Sequence, residues 1–209
     1  MEDKYFDKYA PIYETKGNLP HWNQCGKIAF ITFRLADSIP NDIIHKFIQE
    51  ASEWREEHPN PVNKEMELWM IERCNRMEKY LDSGMGECIL EHLHIRDIIV
   101  KSLLYMETNN YISIHSYVIM PNHIHLLLEP LGEWTIQKIM RSLKMHTSKE
   151  INNVLQRTGT LWRKEYFDRI IRSERHYLAV LDYIRDNPRK CRIGTYTYYL
   201  AEELQGIYK

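Results

Sequence analysis

The chain has 209 residues, 27% charged and 44% hydrophobic, with a formal net charge of −1 at pH 7. That length can bury a sizeable core, and the composition is ordinary for a globular protein. No apolar run approaches the ~20 residues of a membrane-spanning helix, and the acidic start MEDKYFDKYAPIYE lacks the order of a secretion signal. Cys25, Cys74, Cys88 and Cys191 stand far apart with no C-x-x-C pair, which argues against a zinc knuckle and for a reduced, cytoplasmic chain without a membrane partner.

Residues 28–34, IAFITFR, read as a strand because β-branched and aromatic side chains dominate, and Asp37-Ser38-Ile39-Pro40 closes it. Helices are expected over 41–56 and 63–82. Charged residues there oppose Ile43, Ile44, Phe47 and Ile48, then Met66, Leu68, Trp69 and Ile71. Ser83-Gly84-Met85-Gly86 breaks the second helix, and a third is expected over about 90–106, ended by Asn109-Asn110. Strands at 111–119 and 123–129 follow, joined by Met120-Pro121-Asn122 in the manner of an antiparallel hairpin.

A long basic helix should span about 134–155, with Leu143 among its apolar contacts and Lys138, Arg141, Lys144 and Lys149 projecting from it. Residues 166–172 read as a short strand. Ser173 then suits an N-cap, with Glu174 in the first turn of a helix that Asn187-Pro188 ends. The tail from 193 carries Tyr196, Tyr198, Tyr199 and Tyr208 without a clear pattern. This order predicts an α+β fold, an antiparallel sheet with helices packed mainly on one face. It forms a single domain over 1–209 with a helical insertion at about 41–106.

Charge is unevenly spread. Residues 131–192 hold 14 Lys/Arg against 7 Asp/Glu, or +7, so the remainder carries −8. A basic half of this kind can follow nucleic-acid phosphates, although an accident of surface charge is an equal alternative.

The triplet His123-Ile124-His125 is the most informative local feature. In a strand, His123, His125 and Leu127 share one face while Ile124, Leu126 and Leu128 share the other. Two neutral imidazoles so placed can grip one divalent cation, but a third ligand must come from elsewhere. On the last clear helix, Tyr177, Val180, Leu181 and Ile184 form an apolar stripe, and Tyr183 lies off it. Asn187 stands one turn further on and only about 40° round the axis, so it shares the face of Tyr183. Periodicity alone slightly favours an ordinary surface tyrosine.

MPNHIHLLLEP resembles the histidine–hydrophobe–histidine segment of single-tyrosine transposases, and LWRKEYFDRIIRSERHYLAVLDYIRDNP resembles their terminal block. FITFRLADSIP and LDSGMGECIL are similar to segments of the REP-associated tyrosine transposases, the subgroup linked to repetitive extragenic palindromes. The likeness runs in order through roughly 28–192. It departs from the family after Asn187-Pro188, where Arg189-Lys190-Cys191-Arg192 follows, and in the long acidic segment 49–82.

The resemblance implies a ferredoxin-like antiparallel core. It also implies a metal site of His123, His125 and Asn187 holding Mg²⁺ or Mn²⁺, with Tyr183 as nucleophile and His123 and His125 in the catalytic centre. Such an enzyme cleaves and rejoins single-stranded DNA beside hairpins of palindromic repeats through a 5′-phosphotyrosine, working as a monomer or homodimer. Lys138, Arg141, Lys144, Arg163, Lys164, Arg169 and Arg172 are then candidates for phosphate contact, and Trp162 or Tyr166 for base stacking.

Several decoys have plainer assignments. His92-Leu93-His94 falls in a predicted helix, where its rings diverge. His115 can merely pack, Tyr177 sits in the apolar stripe, and Glu129 reads as a fourth ligand or a strand-end carboxylate. A histidine-triad hydrolase wants a third alternating histidine where Leu127 stands. A domesticated DNA-binding protein that has kept the fold and lost cleavage is the alternative from another class.

Overall fold

β-prone runs and amphipathic stretches alternate along the chain. In the computed structural model, which describes residues 4–11, 13–15, 21–59, 63–192 and 194–208, they become one main sheet and the helices that cover it. A small ladder comes first, β1 (Tyr13–Thr15) against β2 (His21–Asn23). β3 (Ala29–Arg34) leads into a helical hairpin, α1 (Asn41–Glu57) and α2 (Asn63–Asp82). The chain continues through α3 (Leu93–Thr108), β4 (Ile112–Ile119), β5 (His123–Pro130), α4 (Ile136–Val154) and β6 (Phe167–Ile170), and closes with α5 (Glu174–Asp186) and β7 (Thr197–Leu200).

The main sheet has the order β6-β3-β5-β4-β7 with every neighbouring pair antiparallel. Taken as β3-α3-β4-β5-α4-β6, the chain traces the ferredoxin-like β-α-β-β-α-β pattern, and β7 adds an edge strand beside β4. The two sequence-predicted strands 111–119 and 123–129 are β4 and β5, and the fold is the expected α+β class.

Alternation on the strands decides which face each helix covers. Ile124, Leu126 and Leu128 of β5 and Ala29, Ile31 and Phe33 of β3 pack with Ile95, Ile99 and Leu103 of α3 and Ile139, Met140 and Leu143 of α4. Leu127 of β5 instead joins Tyr177, Val180, Leu181 and Ile184 of α5 on the opposite face. Each such aliphatic side chain contributes ~1.5–3 kcal/mol when fully removed from water. β4 serves both layers through a bulge: Ile112 and Ile114 face α3 and α4, the register slips past His115, and then Tyr117 and Ile119 take over that face. One extra residue in a strand has this consequence because side chains alternate with period two.

α3 is thus a core helix of the sheet, while α1 and α2 stand outside the ferredoxin-like order. They pack on each other through Ile44 and Leu81, with Ile39 beside them. Thr135 caps α4 by accepting from the Lys138 amide, and Ser173 caps α5 by accepting from the His176 amide.

Candidate metal and nucleophile site

β5 carries His123 and His125 on the face covered by α5, and both are buried, at 1% and 0% exposure. Their Nε2 atoms approach to 3.1 Å. The outer nitrogens are held by neighbours. Asn122 donates from Nδ2 to the carbonyls of Leu81 and Met85, each at 3.1 Å, which leaves its Oδ1 as an acceptor for His123 Nδ1, 2.7 Å away. Nδ1 of His123 therefore bears the proton, and its Nε2 presents a lone pair inward. His125 Nδ1 lies 2.8 Å from the Thr32 hydroxyl, a group that can donate or accept, so His125 can turn a lone pair inward as well. The rings resist protonation. Burial, then the neighbouring His125, lowers His123 to about 3, and burial, then Lys190, lowers His125 to about 3.

α5 brings the tyrosine and the amide to the same place. Tyr183 is half-buried; its Oη is 3.4 Å from His125 Nε2, and its ring meets Phe30 edge-on while Phe30 stacks on His125. Burial and then the charge of Glu78 push the phenol well above its ordinary value, and the Asn187 amide acts in the other direction. Asn187 closes α5 at 1% exposure, donating from Nδ2 to the Tyr183 carbonyl at 2.9 Å, while its Oδ1 is buried with no acceptor role among the described residues. The ammonium of Lys190 sits 5.6 Å over the Tyr183 ring and pairs with Asp82 at 2.7 Å.

Glu78 of α2 completes the cluster. One carboxylate oxygen lies 3.5 Å from His125 Nε2 and finds no hydrogen-bond donor of its own. One ligand atom from each of Glu78, His123 and His125 falls within 4.8 Å of the other two. Two imidazole nitrogens and a carboxylate oxygen so placed form a mixed N/O donor set, which fits a hard or borderline divalent cation. Glu78 has no sequence signal, because its position beside β5 is set by packing of the α1–α2 hairpin. Arg34, paired in register with His123 and held near about 10 by burial and then by Arg163, is a second residue with no such signal.

The basic candidates are dispersed. Lys138 and Arg141 are exposed on α4, the helix on the sheet face opposite the histidines. Lys144, half-buried, donates to the carbonyls of Arg163 at 2.5 Å and Lys164 at 2.9 Å, and burial lowers its ammonium to about 8. Lys164 and Arg172 are exposed, and Arg163 and Arg169 half-buried. Arg169 pairs with Phe30, on the histidine face, and Arg163 stands near Arg34.

Trp162 corrects an expectation. It is 4% exposed within the core and donates its indole N–H to Thr147, so it offers no ring for base stacking, while Tyr166 packs half-buried against the same cluster. Among the decoys, exposed His92 precedes α3 rather than lying within it, with its ring 5.6 Å from that of His94. His115 is bonded to the Tyr177 hydroxyl at 2.7 Å, Tyr177 is core, and Glu129 pairs with Lys4 at 2.6 Å.

Fold and site together define an α+β protein with two strand histidines facing a tyrosine-bearing helix. Residues 88–187 match the family model described as IS200-like transposase, a span that contains both histidines and Tyr183 and ends at Asn187. A Haemophilus influenzae protein described as uncharacterized is 28% identical over 98 residues, a match covering 37% of this chain and 54% of that protein, so the chain spans about half the length of the curated relative it matches. Two solved structures are similar at 15% identity. One is a REP-associated tyrosine transposase bound to a REP hairpin, with TM-score 0.48, covering 84% of this chain and 74% of that one. The other is a candidate transposase from Deinococcus radiodurans R1, with TM-score 0.35, covering 83% of this chain and 97% of that one.

Proposed function

We propose that this protein is a transposase that nicks and rejoins single-stranded DNA beside hairpins of palindromic repeats, acting in the cytoplasm through a 5′-phosphotyrosine on Tyr183. The observation that carries the reading is the convergence of Tyr183 Oη and two buried imidazole nitrogens between β5 and α5, with Asn187 one helical turn beyond the tyrosine. His123, His125 and Asn187 would hold a Mg²⁺ or Mn²⁺ ion. When bound, that ion supplies charge to polarise a phosphate oxygen and to offset the high proton affinity of the phenol.

The chain's own residues do the rest. Tyr183 Oη attacks phosphorus, the bond from phosphorus to the 3′ oxygen breaks, and the phenolic proton is lost while the departing 3′ oxygen gains one as a hydroxyl. The product is a 5′-phosphotyrosine and a free 3′-hydroxyl. The phosphoester is retained, so a 3′-hydroxyl from another strand can attack it and restore both DNA continuity and the phenol. Phe30 and Lys190 position the ring. Arg34 and Arg163 offer positive charge near His123, and Lys138, Arg141, Lys144, Lys164, Arg169 and Arg172 are the remaining candidates for following phosphates. The same chemistry serves a monomer or a homodimer.

The alternative, a DNA-binding protein of this fold that no longer cleaves, separates by one experiment. A labelled hairpin oligonucleotide with a single-stranded flank is incubated with the protein and Mn²⁺ or EDTA and run on a denaturing gel. Cleavage with Mn²⁺ and none with EDTA is expected. A shifted but intact oligonucleotide in both would favour the pure binder.

A further inference from the structure

We propose that Glu78 is a direct ligand of the divalent cation at His123 and His125, so that the α1–α2 hairpin is a working wall of the metal centre. This rests on the cation site proposed above and adds a ligand from outside the family-matched segment 88–187.

Three contacts from one end of α2 converge on the site. The Leu81 carbonyl accepts from Asn122 Nδ2, and the Oδ1 of that same amide fixes the tautomer of His123. Asp82 pairs with Lys190, just beyond Asn187, at 2.7 Å. One helical turn before Asp82, Glu78 brings a carboxylate oxygen to 3.5 Å from His125 Nε2, and that oxygen is sealed from water without a hydrogen-bond donor. A buried carboxylate oxygen with no donor is costly unless a positive partner arrives. Here that oxygen stands beside two imidazole nitrogens 3.1 Å apart, a spacing that lets one ion take a lone pair from each of the three. Two neutral nitrogens and one anionic oxygen suit Mn²⁺ and Mg²⁺ and lower the net charge of the bound ion by one.

The test is Mn²⁺ affinity of the full chain without DNA, read by loss of the free-ion electron paramagnetic resonance signal. Glu78→Gln removes the charge and keeps the shape. It is expected to weaken Mn²⁺ binding at least tenfold, with Glu72→Gln elsewhere on α2 unchanged and His123→Ala abolishing the same site. If Glu78→Gln fails to fold by circular dichroism, Glu78→Asp provides the reading, and its shorter reach should still weaken binding several-fold. Mn²⁺ affinity within twofold of wild type in a folded Glu78 variant would overturn the proposal, as would tighter binding or the absence of a His123-dependent site. Because the readout needs no cleavage, a wild-type protein that binds Mn²⁺ through Glu78 but never cuts DNA would sink the proposed function and leave this assignment standing.

Discussion

At the scale of single residues, the site depends on which nitrogen of each histidine carries the proton. Asn122 decides this for His123, since both its amide hydrogens are committed to carbonyls. Thr32 gives His125 Nδ1 a hydroxyl partner that can serve either tautomer and holds the ring in place. Thr32→Val removes that partner while keeping the volume, and Mn²⁺ affinity should fall about 10- to 100-fold, the usual cost of losing an outer partner of a ligating histidine. Calorimetric affinity equal to wild type would contradict this role. The buried imidazoles also predict acid sensitivity. Both bind protons only near pH 3 in the fold but near the ordinary ~6.5 when unfolded, so the unfolded chain holds the extra protons between those values. Stability from these groups is therefore complete above about pH 6.5 and is lost as pH falls toward 3, at up to about 1.4 kcal/mol per pH unit for each. Burial raises the Glu78 carboxyl, which works weakly in the other direction. Urea midpoints in EDTA should be lower at pH 5 than at pH 7, and a flat profile would contradict neutral burial. The histidine pair was legible in the sequence because period-two alternation is local. Glu78 was not, because 45 residues separate it from His123 and only tertiary packing brings them together.

At the scale of elements, α5 does two jobs with two faces. Tyr177, Val180, Leu181 and Ile184 anchor it to the sheet, Tyr183 reaches His125, and Asn187 closes the helix one turn further on. The helical period made that division legible, and the cap at Ser173 fixed its start. Leu181→Ala should cost about 2–5 kcal/mol of unfolding free energy, the range for emptying a buried leucine site. Denaturant melts check it, and a loss under 1 kcal/mol would mean α5 is not seated as described. β7 was illegible in the tail, although Thr197-Tyr198-Tyr199-Leu200 is β-prone, because the four residues lack polar alternation and all remain half-exposed. What holds the strand is tertiary: Tyr199 stacks on Tyr117 at 5.1 Å, and Arg96 donates to Thr197 and to the Gly194 carbonyl. The loop after α2 has its own requirement. Gly86 has φ +87, and a Cβ there would come within 2.8 Å of the Asp37 carbonyl oxygen, so only glycine lets that loop lie where Met85 can hold Asn122.

At the scale of the whole molecule, a net charge of −1 conceals a basic segment of +7 over residues 131–192 against −8 elsewhere. The fold divides that segment, with α4 on one sheet face and α5 on the other. Charge counting along the chain could not show the division, since it follows from sheet topology. Arg163 stands near Arg34, whose strand partner is His123, so under the proposed function it is a candidate for phosphate contact. Arg163→Ala should weaken binding to single-stranded hairpin DNA and reduce the slope of log affinity against log salt by about 0.7, one phosphate contact on a single strand. An unchanged slope would remove Arg163 from the interface.

The central claim is that Tyr183 forms a covalent bond to a 5′ phosphate. Hairpin oligonucleotides labelled at either the 5′ or the 3′ end, incubated with Mn²⁺ and run on a denaturing gel, test it directly. Wild type and Tyr177→Phe should each give a protein–DNA adduct that keeps the 3′ label and loses the 5′ label. Tyr183→Phe should bind the DNA and give no adduct. An adduct from Tyr183→Phe, or one that keeps the 5′ label, would contradict the account.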